Sequence, residues 1–165
     1  MKSTDEAKVT AALILKNGEV FAAKGFGAQK ITAGQIVVNN VIFGYQGVLT
    51  DPMYAGKIIT FSFPHIGNAG INNQDGKDTK INAAGLILRN LPTESSNWRA
   101  EKEFPSWLLE NNVTGLACID TRRLGKKINE AKGGLYGIIA YDENGLDIPS
   151  LQKQAAEIQE PDSLS

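Results

Sequence analysis

Only one cysteine and one histidine occur among the 165 residues, and that scarcity excludes more chemistry than any motif supplies. A single thiol, Cys118, cannot close an internal disulfide, which agrees with a reducing compartment. Any Ser-His-Asp or Cys-His mechanism would have to run through His65. No set of His, Cys, Asp and Glu has metal-ligand spacing, so neither a metal nor a cofactor is expected. There is no apolar run long enough to cross a bilayer, and the first six residues are polar and acidic rather than a signal peptide. Formal net charge is −1 with both signs interspersed, which gives no reason to expect a nucleic-acid or membrane partner. The expectation is a cytoplasmic protein.

What is present is short strand-like runs separated by strong breakers. Thr10 to Leu15 and Val20 to Phe26 flank Asn17-Gly18, a pair that tolerates positive φ and therefore predicts a β-hairpin. Gly25 and Gly27 lack the rest of a phosphate-loop fingerprint and read as edge-strand glycines. Gln35 to Asn39 and Lys57 to Phe63 read as buried strands, with Gly44-Tyr45-Gln46-Gly47 and Thr50-Asp51-Pro52 forcing an excursion between them. Residues 72–80 read as a surface loop, Ala83 to Leu88 as a short strand, and 90–99 as irregular.

The second half alternates more clearly. Pro105 to Leu109 reads as a short helix ending at Asn111-Asn112, and Gly115 to Ile119 as a buried strand in which Cys118 is an inert small hydrophobe. Asp120 or Thr121 caps a helix to about Ala131, with Leu124 and Ile128 on its apolar face. Arg122, Arg123, Lys126 and Lys127 lack neighbouring stacking aromatics and read as a solvated face. Gly133-Gly134 ends that helix, Leu135 to Tyr141 is a strand, Glu143-Asn144-Gly145 a turn, and Pro149 to Ile158 a helix after Asp147. About seven strands against three short helices give a mixed α/β domain, with a polar tail at 1–8, a body at 9–145 and a terminal helix with the start of a linker at 146–165.

Several collinear motifs are specific. Gly34, Asn39, Gly44-Tyr45-Gln46, Leu49-Thr50-Asp51-Pro52, Tyr54 and Pro64-His65-Ile66-Gly67-Asn68 are followed in order by Gly85-Leu86, Arg89, Leu91-Pro92, Ser96-Asn97, Ile119-Asp120-Thr121-Arg122 and Leu124. Over about Thr10 to Ala140 the chain resembles the amino-terminal domain of the glutamine-hydrolysing small chain of carbamoyl-phosphate synthetase. It departs from that pattern at Asn40, Gly47, Met53, Gly125 and Asn129. Met53 stands where the family carries a serine near bound glutamine, and a thioether cannot replace that hydroxyl as a hydrogen-bonding group.

The resemblance implies a three-layer β/β/α swivelling domain with mixed sheets. It also implies a non-catalytic role, docking on the large synthetase subunit in glutamine-dependent carbamoyl phosphate synthesis for arginine and pyrimidines. The implied partners are that large subunit and a separate glutaminase domain, whose catalytic Cys, His and Glu fall outside these 165 residues. Candidate interface and motif residues are Tyr45, Gln46, Asp51, Tyr54, His65, Asn68, Asp120 and Arg122. Each also has a plainer reading: His65 satisfying its own turn, Asp51 forming a turn, Asp120 capping a helix. The alternatives in function are a diverged stand-alone scaffold module and, least favoured, a hydrolase built on His65 and Cys118.

Overall fold

The computed structural model describes residues 9–40, 45–61, 80–90 and 104–159, with residues 45, 46, 104 and 105 described by backbone only. Asn17-Gly18 forms the expected hairpin between β1 (Ala11–Leu15) and β2 (Val20–Gly27). Gly18 takes φ 95°, its amide donates to Leu15 O at 2.8 Å, and the Asn17 side chain accepts from the Glu19 amide at 2.9 Å. Five further strands follow: β3 (Ile31–Asn39), β4 (Lys57–Phe61), β5 (Gly85–Ile87), β6 (Thr114–Ala117) and β7 (Leu135–Tyr141). They close into one mixed barrel in the order β1-β2-β6-β5-β4-β3-β7. The β3, β4, β5 and β6 strands run parallel to one another, and the remaining ladders are antiparallel.

Side-chain alternation explains why the closed ladder is stable. Ala11, Leu13 and Leu15 join Phe21, Ile36, Ile58, Ile87, Leu116 and Ile139, so every strand sends at least one side chain into a shared interior cluster. Opposite residues of the same strands face outward into two further clusters. Ala12, Ile14, Ile138 and Ala140 pack against Leu151 and Ala155 of helix α4 (Ile148–Ala156). Ile59, Phe61, Leu86, Leu88 and Ala117 pack against Leu49, Trp107 and Leu108. Strands buried on both faces read as continuous apolar runs, as β1 does. Each fully buried Leu or Ile contributes about 1.5–3 kcal/mol relative to exposure.

Four α-helices lie among the described residues, one more than the three expected. The additional one is α1 (Tyr45–Thr50), in the stretch read as breakers. Its residues have poor helix propensity, but Leu49 is fully buried in the outer cluster. The segment is also pinned from afar, since Asn82 Nδ2 donates to Thr50 O at 2.6 Å and the Asn82 amide donates to Leu49 O at 2.9 Å. Tertiary packing supplies what propensity does not. Helix α2 (Phe104–Glu110) buries Trp107 and ends as expected, with Asn112 at φ 57°.

One local expectation is refined and another corrected. Strand β2 lies between β1 and β6, but its first half pairs with β1 and its second with β6, so Gly25 and Gly27 pair on one side only, with Leu116 and Thr114. Gly25 also makes room for the Tyr141 ring, whose atoms would lie 2.3 Å from a Cβ placed there. Cys118 is not a buried strand residue: β6 ends at Ala117, and Cys118 is exposed at φ 67° where the chain turns toward the next helix. The expected loops at 72–80 and 90–99, and Trp98, lie almost wholly outside the described residues.

Candidate functional site

Four parallel strands finish at one end of the barrel, and in parallel sheets the carboxyl ends of strands are where loops converge to form sites. At that end β3 runs into Asn40, β5 into Arg89 and Asn90, and β6 into Cys118, Ile119 and Asp120. Helix α3 (Thr121–Glu130) starts there and covers the barrel mouth by adding Leu124 and Ile128 to the interior cluster. Asp120 is its N-cap, as expected: the backbone is extended and the carboxylate accepts from the Arg123 amide at 3.1 Å.

The cationic face of α3 is divided in two. Arg123 Nη2 meets Glu19 Oε2 at 2.8 Å and Lys127 Nζ meets Glu19 Oε1 at 3.0 Å, while the Arg123 guanidinium lies 4.8 Å from the centre of the Phe21 ring. The Lys127 hydrogen bond is the main cause holding the Glu19 carboxyl below its usual range; desolvation opposes it, and the Lys127 charge, the Asn17 hydrogen bond and the Arg123 charge assist. One turn-strip away, Arg122 and Lys126 are exposed and make no ion pair among the described residues; nor does Arg89.

Those unpaired cations border two open depressions. One, of about 450 Å³, is lined by Arg89, Asn90, Cys118, Ile119, Asp120 and Arg122. The other, of about 480 Å³, lies along α3 and is lined by Val38, Asn40, Thr121, Arg122, Gly125, Lys126, Asn129 and Glu130. Gly125 is unusual there. Among the described residues a Cβ built on it would meet only Val38 Cγ2, at 3.9 Å, so packing among them does not require a glycine. A mid-helix glycine nevertheless costs about 0.5–1 kcal/mol relative to alanine.

The structure thus brings Asp120 and Arg122 together around one depression. Tyr54 is half-buried, and its hydroxyl accepts from Asn39 Nδ2 at 3.0 Å, next in sequence to Asn40 of the second depression. Asp51 is exposed and caps the short 3-10 turn Pro52–Tyr54 by accepting from the Met53 amide at 2.9 Å. Tyr45 and Gln46 lie in the first turn of α1, and His65 and Asn68 lie outside the described residues. Arg89 and Lys126 were not singled out as site residues; the available signal for Arg89 was a charge placed directly after the apolar run Ala83 to Leu88. Among the described residues no cluster of three metal-ligating side chains occurs, and no helix is long and apolar enough to cross a membrane.

Fold and site together define a mixed α/β barrel domain that presents a charged, strand-end surface. The chain belongs to the carbamoyl-phosphate synthase small chain family. Residues 13–139 match the family's model, described as the carbamoyl-phosphate synthase small chain, CPSase domain. The chain is 44% identical over 153 residues to the carbamoyl phosphate synthase small chain of Bartonella henselae, covering 90% of this chain and 38% of that protein. It is 42% identical over 139 residues to that of Ruegeria pomeroyi, covering 84% and 36%. With that of Polynucleobacter asymbioticus it shares 40% identity over 148 residues, covering 90% and 37%. The chain therefore spans less than two fifths of the length of these relatives.

Proposed function

We propose that this chain is the amino-terminal, non-catalytic domain of a carbamoyl-phosphate synthase small subunit. In this reading it docks on the large synthetase subunit during glutamine-dependent carbamoyl phosphate synthesis in the cytoplasm, serving arginine and pyrimidine formation. The observation that carries it is the family match over residues 13–139, which stands against relatives more than twice as long. Glutamine hydrolysis would then belong to polypeptide outside these residues, and this domain would shape and position it. The three-layer swivelling arrangement fits the barrel when it is divided into its parallel and antiparallel halves. Strands β3 to β6, together with Phe26 of β2, carry α1 and α2 on their outer face, and β1 and β7 carry α4 on theirs.

A charged strand-end surface suits docking better than it suits chemistry. Tyr45, Gln46, Asp51, Tyr54, His65 and Asn68 act in this reading as motif residues that shape loops around the interface, and Asp120 and Arg122 border it directly. Titrating the purified chain against the large subunit tests the reading. A complex at micromolar concentrations is expected, together with no ammonia release from glutamine by the chain alone. Absence of a complex, or turnover of glutamine by the isolated chain, would overturn it.

A second reading, a diverged scaffold that binds another partner, draws on where the departures from the family pattern fall. Met53, with 66% of its surface exposed, and exposed Asn129 leave the core untouched, as a change of partner would. The same titration separates the two readings.

A further inference from the structure

We infer that the groove along α3 receives an acidic side chain of the partner polypeptide, seated at the gap left by Gly125 and held by Arg122, Lys126 and Arg89. This deepens the docking reading and rests on it. Charge distribution is the first ground. Of the four cations on α3, two share the single carboxylate of Glu19 and two make no ion pair among the described residues, and this second pair, at i and i+4, shares one strip of the helix. Arg89 from the end of β5 extends that strip, because the two depressions share Arg122 as a common wall.

Two carboxylates share this surface, Asp120 beside Arg122 and Glu130 four positions beyond Lys126, and among the described residues neither forms an ion pair with those cations. The three cations therefore outnumber the two carboxylates there. The guanidinium of Arg122 can form a two-pronged pair with a carboxylate.

Gly125 is the second ground. Among the described residues there is space for a side chain at this position, and a helix interior disfavours glycine, so packing among those residues does not account for it. A partner side chain entering between Arg122 and Asn129 would account for it, because any side chain at 125 would occupy the same volume. Both depressions are open rather than enclosed, which suits a protein surface laid across them better than a small molecule that must be surrounded.

The test measures affinity for the purified large subunit of carbamoyl-phosphate synthase using the full chain and three variants, each first checked by thermal melting. Arg122→Glu and Gly125→Leu are expected to weaken binding by about tenfold or more, while Lys153→Glu on α4 leaves it unchanged. Added salt should weaken the wild-type complex more steeply than the Arg122→Glu complex. Wild-type affinity in both groove variants would overturn the inference and leave the docking reading standing. Loss in Arg122→Glu with wild-type affinity in Gly125→Leu would overturn the seat at Gly125. No complex with the unmodified chain would remove the docking reading and the inference together.

Discussion

Glu19 and Arg123 meet at 2.8 Å across 104 positions of sequence, joining the turn of the first hairpin to the helix that covers the barrel mouth. Lys127 grips the other oxygen of the same carboxylate, so one acidic residue orients two successive turns of α3. Its consequence for the surface is indirect: with Arg123 and Lys127 turned toward Glu19, Arg122 and Lys126 are left on the strip that borders the two depressions. The hairpin and the candidate interface are thereby mechanically connected.

That connection has a pH signature. The folded-state pKa of Glu19 is lowered, chiefly by the Lys127 hydrogen bond, so ionised Glu19 favours the folded chain. Its contribution is present above the unfolded carboxyl value of about 4.3 and disappears as pH falls through the lower folded value. Glu19→Gln should therefore melt earlier than the parent at neutral pH, and the gap should shrink below about pH 4. Thermal melting across pH measures this. An equal gap at every pH would show that the carboxylate charge is not what matters. Because the pair is partly exposed, added salt should also narrow the gap.

Two glycines should respond to alanine with opposite signs. At Gly125 the new methyl finds ordinary contact distance, so Gly125→Ala should stabilise by about 0.5–1 kcal/mol through helix propensity. At Gly137 a Cβ would lie 2.7 Å from Ile14 O and 3.3 Å from Leu15 Cα, both backbone atoms of the neighbouring strand. That ladder cannot yield without disturbing β1, so Gly137→Ala should destabilise by about 1–3 kcal/mol. Denaturant unfolding of the two variants decides it; shifts of the same sign would contradict the geometry.

Features fixed by near neighbours were legible in the sequence. The Asn17-Gly18 hairpin, the caps Asp120 and Asp147, and strand β7 at Leu135–Tyr141 all depend on residues within a few positions. Helix α1 was missed because it is held by Leu49 in a distant cluster and by Asn82, 32 positions beyond Thr50. Barrel closure depends on the β2–β6 and β1–β7 ladders, whose partners are far apart in the chain and leave no local trace. Cys118 was misplaced because an unbroken apolar run does not reveal where a strand stops pairing. At the site, Asp120 and Arg122 stood out by motif. The division of α3 into paired and unpaired cations required knowing that Glu19 lies beside it.

Thr60 is fully buried, and among the described residues its hydroxyl has no hydrogen-bond partner. The pleat of β4 sends Ile58 inward and Ile59 outward, so Thr60 follows Ile58 toward the apolar barrel interior. An unsatisfied buried hydroxyl costs about 1–3 kcal/mol, and valine keeps the shape without the polar atom. Thr60→Val should thus raise stability by about 1 kcal/mol or more in denaturant unfolding. A loss of stability would mean that the hydroxyl is satisfied in solution.

At the opposite end of the barrel, the Tyr141 hydroxyl donates to the Glu143 carboxylate, and the Glu143 amide in turn donates to Gln29 Oε1 at 2.8 Å. The hydrogen bond to Glu143 is the largest cause pushing the Tyr141 pKa up to about 12, with burial and the Glu143 charge adding to it. For a group whose folded value is raised, the stabilisation is complete below the unfolded value of about 10 and is lost as pH rises through the folded value. Glu143→Gln removes the charge while keeping an acceptor, so one phenol should titrate closer to pH 10, by about one unit or more. Phenolate absorbance during alkaline titration of the two proteins measures that step. Should the two titration curves superimpose, the carboxylate is not holding the proton on Tyr141. The ring would then owe its place only to packing over Gly25, where any Cβ would collide with it.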